Sequence, residues 1–91
     1  MLRKSMRITE KDTVAVVLED AMAHDVIEID SEEIELVEDV EFAHKVALKD
    51  YKMGEPVIKY GEEIGYALVD IPKGAWIHNH NMGCDRGKKV R

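Results

Sequence analysis

Apolar residues along this chain gather in short runs set apart by polar turns, and the runs have the length and composition of β-strands. The first is Thr13 to Leu18, TVAVVL, a β-branched stretch as long as a buried strand. Polar residues from Glu19 to Asp25 interrupt it, predicting a loop with one helical turn near Glu19 to Ala23. Val26, Ile27 and Ile29 resume an extended pattern. Beyond Phe42 the runs are Val46-Ala47-Leu48, Pro56-Val57-Ile58, Ile64 to Val69 and Ala75-Trp76-Ile77. Between them stand Met53-Gly54-Glu55-Pro56, Tyr60-Gly61-Glu62 and Ile71-Pro72-Lys73-Gly74, each carrying the glycine or proline of a turn. Strands at a spacing of roughly 8–12 residues predict a compact, mainly β domain with little helix. Residues 1–11 read as a flexible leader, 12–81 as the folded domain and 82–91 as a basic, disordered tail.

The stretch from Glu28 to Glu41 holds eight acidic residues and no basic one, interleaved with Ile29, Ile34, Leu36, Val37 and Val40. It lacks the Asp and Gly spacing of a calcium loop and reads as the solvated face of a small strand pair.

Composition narrows the partners. A chain of 91 residues, 45% hydrophobic, has room for one small core. Ligand sites bury roughly 70–90% of what they hold, so a partner chain or a second copy is expected to complete any enclosed site. Thirteen Lys and Arg against nineteen Asp and Glu leave a net charge of -6, which argues against nucleic acid. The bases Arg86, Lys88, Lys89 and Arg91 have no aromatic neighbours and read as a solvated terminus. No apolar run approaches the ~20 residues that span a bilayer, and no signal-peptide core opens the chain. The single cysteine, Cys84, allows no internal disulfide and reads as a free thiol. A cytoplasmic protein without a membrane partner is expected.

Candidate chemistry lies in the second half. His78 and His80 follow Trp76-Ile77, and an extended backbone there sets both imidazoles on one face with Asn79 and Asn81 opposite. Two imidazoles so spaced suit a divalent metal or a polar substrate, although a complete metal shell needs three or more protein groups. His44, beside Lys45 ahead of the run Val46 to Leu48, offers a group suited to proton transfer at neutral pH. Lys59, between Ile58 and Tyr60, is either an exposed strand position or a fixed cation for a carboxylate. No nucleophile elbow, phosphate loop or Cys-x-x-Cys pair accompanies them.

Five blocks can be read together: His44-Lys45-Val46-Ala47-Leu48-Lys49-Asp50, Gly54 to Gly61, Ile64-Gly65-Tyr66-Ala67, Asp70-Ile71-Pro72-Lys73-Gly74 and His78-Asn79-His80-Asn81. In this order and spacing they resemble the N-terminal SAF domain of the altronate and galactarate dehydratase family, and Asp12 to Ala21 is similar to that domain's first strand. The resemblance implies a β-clip fold of short strands and bent hairpins. It also implies a lyase that removes water from a sugar acid to give a 2-keto-3-deoxy acid. That activity would need a divalent metal, iron or manganese, held mainly by a large dehydratase subunit that this chain accompanies. Carried onto this sequence, it makes His44, Lys45 and Lys59 candidates for acid–base or substrate contact. His78, His80 and Asn81 become candidates for the substrate wall, with His78 and His80 as candidate metal ligands. The small subunit of sulfolactate sulfo-lyase carries nearly the same signature, so elimination of sulfite is the alternative reaction. A non-catalytic carbohydrate- or partner-binding SAF module is the alternative from another class.

Overall fold

The β-branched runs become strands, and the strands repeat a pattern. The computed structural model of the chain describes residues 1–84. They form β1 (Ser5–Met6), β2 (Val14–Val17), β3 (Val26–Ile29), β4 (Glu32–Glu35), β5 (Lys45–Ala47), β6 (Pro56–Lys59), β7 (Glu62–Ala67), β8 (Trp76–Ile77) and β9 (Met82–Gly83). Every strand pairing is antiparallel, in sheets ordered β1-β2-β5-β8, β3-β4 and β6-β7-β9. The mainly β expectation holds, with no helix among the described residues and therefore none long and apolar enough to cross a membrane. Glu19 to Ala23 is a bend followed by a bridge from Ala21 to Val40, because the backbone there pairs across the fold instead of with itself.

Two strands lie outside the 12–81 boundaries read from the sequence. In the expected leader, Ser5 and Met6 pair with Val17 and Val16, and Arg3 is fixed by Asp25 at 2.8 Å. At the other end Met82 pairs with Ala67 and is buried in the core. Such two-residue strands are stabilised by the sheet they join, and their own sequence carries no period. Arg86, Lys88, Lys89 and Arg91 lie outside the described residues.

The domain is built twice over. Asp20 Oδ1 accepts the Phe42 N–H and Asp39 Oδ1 the Ala23 N–H, both at 2.9 Å. In the second half Asp50 Oδ1 accepts the Lys73 N–H and Asp70 Oδ1 the Met53 N–H, both at 2.8 Å. The bridge Ala21↔Val40 is matched by Tyr51↔Ile71, and each pair of loops leads into strands at equivalent places. Four corresponding turn positions take a positive φ: His24 and Ala43 in the first half, Gly54 and Gly74 in the second. The hairpin tips match too, with Asp30-Ser31 and Tyr60-Gly61 both left-handed, as two-residue turns between right-twisted strands require. Only the second hairpin carries an extra residue, Ile64, which the register of β6 on β7 skips.

Each half has its own core. Ala21, Ile27, Ile34, Leu36, Val40 and Val46 pack in one cluster, and Tyr51, Val57, Ala67, Ile71 and Ile77 pack in the other. The four-stranded sheet lies between them. Along β2, Val14 faces the second cluster and Ala15 and Val17 the first; on β5, Ala47 and Val46 divide in the same way.

Asp12, only 4% exposed, fastens the segment before β2 to the second hairpin. Its carboxylate accepts the Thr9 hydroxyl at 2.7 Å and the Gly61 N–H at 2.8 Å. Burial, the largest influence, pushes this carboxyl up, but hydrogen bonds from Thr9, Gly61 and Tyr60 together outweigh it and hold it at about 2, against an ordinary 3.8. A depressed carboxyl stabilises the fold above its unfolded value, and that contribution is lost as the pH falls toward the folded one. Urea midpoints should therefore drop between about pH 4 and about pH 2. In Asp12→Asn the drop should shrink, Asp25, also held at about 2, supplying what remains. An unchanged pH profile in the variant would refute this role.

Candidate functional site

Strand register gathers the aromatic and imidazole side chains. Lys45 pairs with Ile77 and Val46 with Trp76, so Val46 and Trp76 share the first-half face of the sheet. His44, one step before β5, and His78, one step after β8, sit two positions from these residues and emerge on the same side. Their rings meet there: His44 to Trp76 at 5.6 Å edge-on, His44 to His78 at 5.5 Å edge-on, and His78 stacked on Trp76 at 5.5 Å with 12° between planes. His80 leans on the indole from 4.7 Å.

His80 reaches Trp76 by a different route from the one expected. The segment after Ile77 is a tight turn, in which the His78 carbonyl accepts the N–H groups of Asn81 and Met82 at 3.1 and 2.9 Å. Asn81 is buried and holds this turn, its Oδ1 accepting the His78 N–H and its Nδ2 donating to the Trp76 carbonyl, both at 2.9 Å. The alternation predicted for His78 to Asn81 therefore fails, because an asparagine able to bond the backbone in both directions favours a turn over a strand. The amide of Asn81 is thereby engaged in the protein.

His44 is half-buried, and its Nδ1 lies 3.3 Å from the Glu41 carbonyl. A carbonyl only accepts, so Nδ1 carries the hydrogen of this contact, and in the neutral ring Nε2 has the lone pair. Beside this ring a cleft of about 240 Å³ is lined by Asp39, Glu41, His44 and Trp76. The Trp76 Nε1–H is buried without a hydrogen-bond partner among the described residues. The result is a cleft lined by an imidazole, two carboxylates and an indole whose own N–H is buried.

Lys45 and Lys59 lie elsewhere. Lys45 stands in the row Val16, Lys45, Ile77 on the opposite face of the sheet, which the second-half core covers. Burial first, and the Lys59 ammonium second, push its amine below the ordinary value, with Cys84 acting in the other direction. Of the six candidates, the three histidines meet at one place, Asn81 builds the turn beneath them, and the two lysines face away. Trp76 organises the cluster, and Asp39 and Glu41 line its cleft; reading the acidic stretch as a solvated face passed over both carboxylates. The signal for Trp76 was present in its two-residue spacing from His78.

As a metal site the wall falls short. His78 and His80 supply two imidazoles, both engaged with the indole, and no group of three or more His, Cys, Asp or Glu converges among the described residues.

Comparison with known proteins agrees with the fold. The family model described as the altronate/galactarate dehydratase SAF domain matches residues 3–85. Altronate dehydratase of Escherichia coli K12 is 43% identical over 76 residues, covering 84% of this chain and 15% of that protein. Altronate dehydratase of Bacillus subtilis is 32% identical over 80 residues, 88% of this chain and 16% of that protein. The alpha subunit of (2R)-sulfolactate sulfo-lyase from Paracoccus pantotrophus is 46% identical over 48 residues, 53% of this chain and 72% of that subunit. The chain thus spans about one sixth of the length of these two altronate dehydratases.

Proposed function

The chain belongs to the SAF-domain family of altronate and galactarate dehydratases, and on that footing we propose that it is the small subunit of a sugar-acid dehydratase of the altronate or galactarate type. It works with a separate large catalytic subunit, and together they remove water from a sugar acid to give a 2-keto-3-deoxy acid. The observation that supports this reading is the cluster of His44, Trp76 and His78 beside a cleft that Asp39, Glu41, His44 and Trp76 line.

The elimination needs a base for the proton on the carbon beside the carboxylate and an acid for the departing hydroxyl. His44 presents a free Nε2 and takes the first role. His78, in edge contact with it, takes the second: the C–H pair becomes the double bond, the C–O bond breaks, and the hydroxyl leaves as water. The enol then becomes the keto acid. His80 faces substrate hydroxyls, while a divalent iron or manganese belongs mainly to the large subunit. Purified chain should show no dehydratase activity alone and gain it with the large subunit. Full activity alone, or no turnover of any sugar acid after reconstitution, would sink the proposal.

The coverage of the sulfo-lyase subunit favours a second reading, in which the same wall serves loss of sulfite from sulfolactate. Sulfite release by the reconstituted pair, with no keto-deoxy acid formed from altronate or galactarate, would replace the first reading with this one.

A further inference from the structure

The four-stranded sheet has one closed border and one open one. At β8 the Trp76 N–H donates to Glu38 Oε2 at 3.0 Å and the Trp76 carbonyl accepts from Asn81 Nδ2 at 2.9 Å, so side chains occupy the outer backbone groups. At β1 those groups stand free. Ser5 pairs with Val17, whose own N–H and carbonyl bond His44 and Ala43 on the far side. The Ser5 N–H and carbonyl therefore point away from the sheet, and they meet no partner among the described residues. A groove of about 490 Å³ borders β1, with Leu2, Lys4, Ser5 and Leu18 in its lining.

The adjoining face is uncovered as well. Met6, Val16, Lys45 and Ile77 form one row across the sheet. Burial falls along it from Ile77, 0% exposed, through half-buried Lys45 and Val16, to Met6 at 45%. The second-half core thus covers the β5 and β8 end of this face and leaves the β1 end bare, where Leu2 and Leu18 are also exposed. In a chain of net charge -6, the side chains that β1, β2 and β5 turn to this face are apolar apart from Lys4 and Lys45. Neither ammonium meets a carboxylate among the described residues, whereas Arg3, Arg7, Lys49 and Lys73 all do. Of the two acids lining the groove, Glu19 is engaged by Arg3 and by the Lys4 N–H, and Glu28 belongs to β3.

From the open backbone at Ser5, the bare face and the unpaired Lys4 we infer that β1 is the docking edge for an extended segment of the large subunit. The segment adds a strand beside Ser5, sets a carboxylate against Lys4, and lays apolar residues two positions to either side over Leu2 and Met6. The identity of the partner rests on the proposed function, while the chemistry of the segment rests on β1. The histidine cluster lies on the other face and at the other border of the sheet, so this contact joins the subunits without occupying the rings. A subunit supplying the rest of a dehydratase, of which this chain matches 15% or 16%, is long enough to reach both borders.

The test titrates full chain with purified large subunit by calorimetry. Lys4→Glu should weaken affinity about tenfold or more, because it sets like charges against each other. Ser5→Pro removes only the outward N–H, which proline tolerates on a sheet edge, and should weaken affinity several-fold, the scale of one hydrogen bond. Lys52→Glu, the same charge change on an exposed loop, should leave affinity unchanged. At saturating large subunit, turnover of Lys4→Glu should match wild type. If Ser5→Pro melts early, Lys4→Glu carries the comparison. Wild-type affinity in Lys4→Glu, an equal loss in Lys52→Glu, or no complex at all would overturn the inference. A dimer of the chain alone that Lys4→Glu and Ser5→Pro dissociate would also overturn it, assigning the edge to a second copy. Weakened binding in both variants of a complex that turns over no sugar acid and no sulfolactate would count against the proposed function and leave the docking edge standing.

Discussion

Alanine at Gly74 is expected to cost this domain a large part of its stability, whereas alanine at Gly54 costs far less. The two glycines occupy corresponding turns of the duplicated fold, with φ of 91 and 92, so the backbone strain of adding a side chain is about equal, roughly 1–3 kcal/mol. Their surroundings differ. A methyl at Gly54 meets nothing within 4 Å, while one at Gly74 falls well inside 3.0 Å of the Glu35 carbonyl oxygen, part of a backbone that cannot swing aside. Gly74 is where the halves cross, its carbonyl accepting the Val37 N–H at 3.1 Å. Overlap adds about 1–3 kcal/mol, for a total near 4 kcal/mol and a fall in melting temperature of about 15–30 °C. Thermal denaturation of both variants measures the difference directly. Equal losses would show that the seam tolerates a side chain.

The second large effect is expected in catalysis. With the large subunit present, His44→Ala and His78→Ala should each lower kcat about a hundredfold or more, the contribution of one positioned acid or base. His80→Ala should lower it less than tenfold, since that ring is exposed and leans on the indole. Affinity for the large subunit, read by co-purification, should stay near wild type in all three. Turnover within about threefold of wild type in both His44→Ala and His78→Ala would remove the ring cluster from the chemistry.

Much of the fold was legible because its strands are β-branched runs and three second-half turns carry Gly54, Gly61 and Gly74. Val14–Val17 and Pro56–Lys59 fall where alternation and punctuation place them, while the strand expected over Ile64 to Val69 starts two residues earlier and ends at Ala67. The duplication was hidden for physical reasons. Its markers are the aspartates Asp20, Asp39, Asp50 and Asp70, spaced by 30 residues in one pair and 31 in the other because Ile64 is inserted between them. Where the second half uses Gly54 and Gly74 for positive φ, the first half uses His24 and Ala43, which no turn rule would select.

The site was legible in composition more than in shape. His44, His78 and His80 do come together, but around Trp76, and from a turn that contains neither glycine nor proline. Adjacent in sequence, His44 and Lys45 look like one catalytic pair, yet consecutive strand residues point to opposite faces. Pairing in the sheet, which a local motif does not report, separates the imidazoles from the lysines.

The hairpin of β3 and β4 ends its sheet after two strands, and the last of these carries Glu32, Glu33 and Glu35 in the open. An unpaired strand is a template for any other chain in extended form, and a small β domain has few other defences against joining its copies edge to edge. Here a copy laid alongside would bring carboxylates against carboxylates. Like charge along this border thus disfavours the joining of copies edge to edge.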